Sequence, residues 1–330
     1  MNRISRVALA ALAAACALSA QVKITQGDKK ISIEIHGAKY GDFYIAGKDP
    51  SFPGADKSLE NADLMKPFLW PILAATGTPV TRAWPIEKVD EEKDLKGDHP
   101  HQRGIWFGHE KVNGSDFWNS YTAKNNGKIT LIKVGEIKSG KESGSLSARF
   151  QWIGHDGTPV VTESRVMTFY DQPDRRTIDF DITLTAIDKV TFGDAKDGAF
   201  GMRLRPLLQE DKGSGHIVNA EGAMSEKEVW GKPSNWCDYS GEIKGEKVGV
   251  AMLDHPGNPG HPVRWHVRAY GLFAANPFAL GLAGFIPDKT QDGSKTLEPG
   301  QSMRFRYRVI IHPGDAKSAD IAAEYAKFAK

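Results

Sequence analysis

Four stretches of this chain alternate apolar and polar residues with a period of two, and that period decides what the chain can fold into. Ile31, Ile33 and Ile35 alternate with Ser32 and Glu34. Leu146, Ala148, Phe150 and Trp152 alternate with polar or smaller residues. Ile178, Phe180, Ile182 and Leu184 alternate with Asp179, Asp181 and Thr183, and Met303, Phe305, Tyr307 and Val309 with Arg304, Arg306 and Arg308. Successive side chains of a strand point to opposite faces, so each run lays one face on a core and the other in water. Turn signals such as Asp156-Gly157, Asp171-Gln172-Pro173-Asp174 and Glu298-Pro299-Gly300 separate the runs. Many antiparallel strands at short spacing make a sandwich or a barrel. The expectation is an all-β fold, a large antiparallel β-sandwich. One short C-terminal helix is expected over 315–330, capped by Asp315, with Ile321, Tyr325 and Phe328 on one side. Two stretches, 84–101 and 213–262, read as long loops, which in a compact β fold are often functional.

The first twenty residues read as a targeting segment. Arg3 and Arg6 precede an Ala-rich apolar run over 7–18, and Leu18-Ser19-Ala20 is a small-residue cleavage site before Gln21. The run is too short to cross a bilayer, so a secretory signal is expected and the mature chain is placed in the periplasm or outside the cell. A lipoprotein signal with Cys16 as the lipidated residue is the alternative. No later stretch is long and apolar enough to span a membrane. Cleavage after Ala20 leaves Cys237 as the one cysteine, so no internal disulfide can form and stability must come from a core. Residues 21–330 carry no linker, repeat or low-complexity block and are expected to form one domain. A net charge of +2 with no basic block argues against a nucleic-acid partner.

The densest chemistry lies in 98–118, DHPHQRGIWFGHEKVNGSDFW. It holds His99, His101 and His109, Arg103, the acids Asp98, Glu110 and Asp116, and the indoles of Trp106 and Trp118. Histidine titrates near neutral pH and is the commonest metal ligand. In an extended chain His99, His101 and Arg103 share a side, and so would His109 if the strand ran unbroken, which gives a possible divalent-metal triad of His99, His101 and His109. Asn113-Gly114 is a tight-turn signal that would fold Asp116 and Trp118 back toward His109 and Trp106. A loop of satisfied histidines feeding an ordinary core strand is the plain alternative.

A second His-rich stretch repeats the first. Asp254-His255-Pro256 follows the apolar run 248–253, and His261, Arg264, Trp265 and His266 come after it. Trp236 and Asp238 belong to an acidic and aromatic segment upstream. The working assignment takes His99, His101, His255, Asp98 and Asp254 as acid–base groups. It takes Arg82, Arg103, Trp106, Asp116, Trp118, Trp236 and His261 as ligand contacts, the arginines for a carboxylate or oxyanion and the indoles for a ring face.

DHPHQRGIWFGHEKVNGSDFW, WCDYSG at 236–241 and VGVAMLDHPGNPGHPVRWHVRAYGLFAANPF at 248–278 resemble a secreted bacterial family often labelled PmoA, or methane oxygenase, and otherwise uncharacterised. The resemblance covers most of the chain after residue 20. Gln102 departs from it, standing where the family pattern HPHHRG has a further histidine, so a metal role at that position would be weaker here. The oxygenase activity does not carry over on physical grounds. The membrane methane monooxygenase is a multi-span protein, and methane demands a strong oxidant at a defined copper or iron site. The overall pattern is also similar to the large sandwiches of galactose-mutarotase-like folds, which implies a sugar or glycoside ligand. Two readings follow. One is a carbohydrate-active enzyme, an epimerase, lyase or hydrolase by type, using His/Asp chemistry with or without a metal. The other is a non-catalytic glycan- or protein-binding sandwich. Mass spectrometry of the exported protein is expected to give Gln21 as the first residue, whereas a diacylglycerol adduct on Cys16 would establish the lipoprotein form.

Overall fold

The computed structural model describes residues 21–95 and 97–330, so the expected signal segment lies outside the described residues. In chain order the described strands are β1 (Val22–Gln26), β2 (Lys30–Ile35), β3 (Ala38–Tyr44), β4 (Phe68–Trp70), β5 (Ile105–His109), β6 (Lys128–Lys138), β7 (Ser143–Ile153), β8 (Pro159–Asp171), β9 (Arg176–Ala186), β10 (Val190–Phe192), β11 (Gly198–Arg203), β12 (His216–Asn219), β13 (Trp236–Ile243), β14 (Glu246–Asp254), β15 (Arg264–Val267), β16 (Leu272–Asn276), β17 (Lys295–Leu297) and β18 (Ser302–Pro313). They form two large antiparallel sheets. The first has the order β1-β2-β3-β4-β5-β11-β16-β15, the second β12-β13-β14-β18-β9-β8-β7-β6, and β10 pairs with β17 apart from both. The expected antiparallel sandwich is therefore the fold.

Each alternating run became a strand, β2, β7, β9 and β18, with its apolar residues turned inward. The inner faces meet in one core drawn from both sheets. Phe107 of β5 touches Phe305 of β18 at a ring-centroid distance of 5.4 Å, and Phe200 of β11 stacks on Tyr307 of β18 at 4.5 Å. Such pairs add attraction beyond the area they bury. Two smaller apolar clusters sit on the outer faces. On the first sheet, Phe68, Trp70, Trp106, Trp118, Leu272 and Ala274 pack together. On the second, Ala251, Leu253 and Ile310 lie under α2 (Ile321–Phe328), with Tyr325 and Phe328 against them.

The structure departs from the sequence reading in two places. The C-terminal helix starts at Ile321 rather than Asp315, because Asp320 adopts a left-handed conformation (φ 53°) that breaks the spiral; Asp315 instead caps the preceding turn through Ser318 N. The stretch 213–262 is not one loop. It contains β12, β13, β14 and a short helix over Ser225–Val229. The polar alternation of β13 hid it: Asp238 and Ser240 point outward, where Asp238 accepts from His312 Nε2 at 2.7 Å, while Cys237 and Tyr239 face the core. The loop 84–101 is a loop, with one 3-10 turn at Asp90–Glu92. Among the described residues no helix is long and apolar enough to cross a membrane.

One ion pair sits inside the core. On β8 both Glu163 and Arg165 are buried; Glu163 accepts from Arg165 Nε at 2.7 Å and from Trp152 Nε1 at 2.8 Å, and the guanidinium lies over Phe43 and Phe150. Removing one partner would strand the other charge in a low-dielectric interior, whereas removing both would not. Glu163→Ala is expected to cost about 3–5 kcal/mol in urea denaturation, and the double variant Glu163→Leu/Arg165→Met to recover most of that loss.

Candidate active site

The outer face of the first sheet carries the site, and its floor is two indoles. Alternation along β5 turns Ile105 and Phe107 inward and Trp106 outward. Downstream, Asn113 (φ 47°) and Gly114 (φ 77°) take the positive φ angles of a two-residue hairpin turn closed by Val112 and Ser115. The chain returns alongside β5, Phe117 N donates to His109 O at 3.0 Å, and Trp118 meets Trp106 at 4.9 Å between ring centroids. Gly201 of β11 makes room beneath them. A Cβ there would stand 2.7 Å from Trp118 Cη2 and 2.8 Å from Trp106 Cζ2, so no larger residue fits without moving the rings. Asp116 does not reach His109. It caps the turn, accepting from Trp118 N at 2.8 Å, Asn119 N at 2.7 Å and Asn119 Nδ2 at 3.0 Å.

Lys66 lies over this floor, its Nζ 5.6 Å from the Trp106 ring and 5.9 Å from the Trp118 ring. It is buried, donates to the Trp118 carbonyl, and makes no ion pair among the described residues. Burial brings its pKa down from 10.5 to about 7, with Asp116 opposing that drop and Arg103 adding to it.

The 98–103 loop forms one wall. Arg203, pointing outward from β11, donates to Asp98 Oδ2 at 2.6 Å and also holds the Gln102 amide oxygen. Arg82 donates to the carbonyls of Asp98, His99 and Gln102 at 2.7–2.8 Å and reaches Asp98 Oδ2 at 3.2 Å. Burial works against the Asp98 charge, but His99 and the two guanidinium groups outweigh it and hold the carboxyl well below its usual range. His99 is exposed at the rim. Its Nδ1 is 2.5 Å from Asp98 Oδ1 and its ring stacks on Tyr270 at 5.4 Å. His101 points inward and is buried, and neither ring nitrogen has a protein partner. Burial, reinforced by Lys66, His99 and the neighbouring arginines, pushes its pKa well below the ordinary histidine value, so the ring is neutral. Arg103 belongs to the scaffold: it binds Asp49, donates to Pro100 O at 2.7 Å, and packs over Phe68 and Tyr121. Most of the donors of Arg82 and Arg103 are spent on the protein rather than left for a ligand carboxylate, with Arg82 Nε and Arg103 Nη2 the ones without partners.

The opposite side comes from residues the sequence reading did not assign. Burial raises the Asp197 carboxyl above the usual range, with Lys196 lowering it and Asp116 raising it further. Glu110 is raised too, by burial and then by Asp197, whose backbone N–H faces Glu110 Oε2 at 3.4 Å. His266, outward from β15, has Nδ1 3.5 Å from Asp197 Oδ1, and burial brings its pKa down to about 3. One signal was available for Lys66, a lone charge in the apolar run Leu64-Met65-Lys66-Pro67-Phe68-Leu69-Trp70. None marked Asp197.

Several expected residues lie elsewhere. His109 faces the inner core, bonded through Nε2 to Gly193 O at 2.7 Å and packed on Phe278, and burial brings its pKa down to about 4. The proposed His99/His101/His109 triad therefore does not converge. Among the described residues no group of three or more His, Cys, Asp or Glu side chains is arranged to hold a metal ion. The second Asp-His-Pro sits on the far side of the sandwich. His255 packs edge-on against Phe328 of α2, 5.2 Å away, and its Nδ1 accepts from Gly257 N. Asp254 staples its own loop, accepting from Asn258 Nδ2 at 2.8 Å and Val263 N at 3.0 Å, with His261 Nδ1 at 2.7 Å. Trp236 is half-buried beside α2. The assignment of His255 and Asp254 to the same site as His99 and His101 is corrected: the second Asp-His-Pro lies beside α2 on the other side, and of the second stretch His266 of β15 reaches the first-sheet face. A separate cleft of about 840 Å³ is lined in part by Thr76, Thr78, Glu91, Arg205 and Glu246, which pair with one another.

A family model matches residues 31–326, nearly the whole described chain. The chain belongs to DUF6807, a family of unknown function. That description assigns no activity, so the oxygenase label gains no support from membership. No curated protein matches the chain. Among solved structures, it is similar to a galactose mutarotase-like protein from Clostridium acetobutylicum, with 9% identity, coverage of 89% of this chain and 99% of that one, and a TM-score of 0.42. A galactose mutarotase-like protein from Lactobacillus casei gives 9% identity, 88% and 100% coverage and a TM-score of 0.40. A GH36 alpha-galactosidase from Geobacillus stearothermophilus gives 8%, 90% and 41%, and 0.37.

The Lys66 environment has a thermodynamic consequence. Below pH 7 the ammonium is charged in both folded and unfolded chains, and the folded one bears the full desolvation cost. Between about 7 and 10.5 the folded chain releases the proton first, so stability rises with pH. Lys66→Met is expected to raise the Tm by about 3 °C or more at pH 6, with the gain shrinking toward pH 10 in thermal scans at fixed ionic strength.

Proposed function

We propose that this DUF6807 member acts on a sugar ring by acid–base chemistry at the outer face of the first sheet. His101 carries the reading. It is buried and neutral, both its ring nitrogens lack protein partners, and it lies close enough to Lys66 for that ammonium to lower its pKa further. Buried polar groups are normally hydrogen-bonded, so a purely structural histidine here would have a partner. A neutral imidazole accepts a proton from a hydroxyl or an acidified ring C–H, and is the usual general base near neutral pH.

The matching acid is Asp197. Burial keeps its proton on to higher pH than an ordinary aspartate, and it faces both Lys66 and His99. Glu110 beside it behaves alike. His99, oriented by Asp98 and backed by Tyr270, is a second proton carrier at the open rim. A base and an acid around one ring position suit proton transfer at or next to an anomeric carbon, as in mutarotation, epimerisation or elimination. Indoles with a polar rim are the composition that hydroxyl-rich rings need. Export through the residue 1–20 segment would place the reaction outside the cytoplasm, where glycans are met.

The decisive comparison is His101→Gln, which keeps size and hydrogen-bonding capacity but cannot carry the proton. Anomeric exchange and elimination would be followed by NMR across a panel of aldoses and glycosides. His101→Gln should lower kcat/KM by roughly 10²–10⁴-fold while KM and Tm change little. Sugar binding without turnover by the wild type, unaltered in His101→Gln, would make this face a glycan-binding surface instead.

A further inference from the structure

We infer that the ligand of this face is an acidic sugar, its carboxylate received by the Lys66 ammonium and its other oxygens by the indole N–H groups of Trp106 and Trp118. The inference deepens the reading of the face as a sugar site and rests on it.

The donors and acceptors around the floor do not balance. Nε1 of Trp106 and Nε1 of Trp118 are both buried without a protein partner, and an indole N–H can only donate. Lys66 has three N–H groups and spends one on the Trp118 carbonyl. Of the carboxylates around it, Asp197 stands 3.5 Å from His266 Nδ1 and makes no ion pair with Lys66 among the described residues, and the others are engaged. Asp116 is filled by three N–H groups of Trp118 and Asn119, and Asp98 by two arginines and His99. On the acceptor side stand one nitrogen of neutral His101 and, across the face, His266 and the carboxyls of Asp197 and Glu110. What is missing at the floor itself is an acceptor for the two indole N–H groups and a charge paired with Lys66.

A neutral sugar meets this poorly, because every hydroxyl that accepts also brings a proton that needs an acceptor. A carboxylate brings two acceptor oxygens and no donor, and it supplies the counter-charge that buried Lys66 lacks, as a charge-assisted bond. The arginines expected to do this work are held by the 98–103 loop and by Asp49, each with a single nitrogen left without a partner, whereas Lys66 makes no ion pair among the described residues. Burial raises the Asp197 and Glu110 carboxyls above their usual range, so their charged forms are less favoured beside an anion.

The test is calorimetric titration of the mature protein with galacturonate and glucuronate, and with galactose and glucose as their neutral counterparts. Hexuronates should bind at least tenfold more tightly. Their binding at pH 7.5 should take up a proton, read from the heat in buffers of different ionisation enthalpy, because the carboxylate returns Lys66 to its charged form. Lys66→Met should show no preference for hexuronates over their neutral counterparts and no proton uptake. Equal affinity for the two classes, absence of proton uptake, or a hexuronate preference that persists in Lys66→Met overturns the assignment while leaving a neutral-sugar site standing. Failure of both classes to bind sinks the sugar site and the assignment together. The proton-uptake and selectivity measurements need no variant, so the outcome does not hang on how Lys66→Met folds.

Discussion

The site depends on one buried cluster, Asp98 between the guanidinium groups of Arg203 and Arg82. Arg203 is fixed in β11, in the middle of the first sheet, and Arg82 enters from the strand-like segment that borders it. Between them they hold the Asp98 carboxylate, the Gln102 amide oxygen and the backbone carbonyls of Asp98, His99 and Gln102, so a loop without regular structure is tied to the sheet by six hydrogen bonds. Two buried cations near each other would be costly alone. The carboxylate between them and the carbonyls around them offset that cost, as buried charges require. Everything on that wall, from exposed His99 to buried His101, takes its position from this clamp.

The two faces of the sandwich divide the work. Inner faces are almost wholly apolar, with Glu163 and Arg165 the paired exception, and they supply stability through the core they share. The outer face of the first sheet buries several polar groups without partners, as the inner core does with the Tyr40 and Tyr307 hydroxyls. His101, His266 and the two indole N–H groups are all covered, and none has a partner. A protein that left so many buried polar atoms without function would lose stability for nothing. Their clustering on a rigid sheet, over Gly201 and beneath loops, is what preorganisation for a ligand demands.

Much of this was legible in the chain before folding. The β2, β7, β9 and β18 strands follow from alternation alone, because a period of two has one structural meaning when one face is buried. The Asn113-Gly114 turn follows from its positive φ requirement, and with it the meeting of Trp118 and Trp106. His99, His101 and Asp98 were legible as a dense group of ionisable residues. The role of Arg82 was not, since a cation serving a ligand and a cation serving three backbone carbonyls look alike in one dimension. Nor was the separation of the two Asp-His-Pro stretches: the same three residues end up building a wall in one place and stapling a loop in the other.

Local pattern, then, determined the all-β class, the strands, the hairpin turn and the residues worth suspecting, since each depends on neighbours a few positions away. Which of those residues meet was decided by tertiary structure. Lys66 comes from the segment before β4, His101 from the loop before β5, Asp197 from the loop before β11 and His266 from β15, and only the order of strands in the first sheet brings them to one face. Burial, which shifts their protonation and leaves their polar atoms without partners, is likewise a property of the packed sheet and its covering loops. His109 makes the point from the other side: eight residues from His101, on a strand of the same sheet, it faces inward because the pleat puts it there.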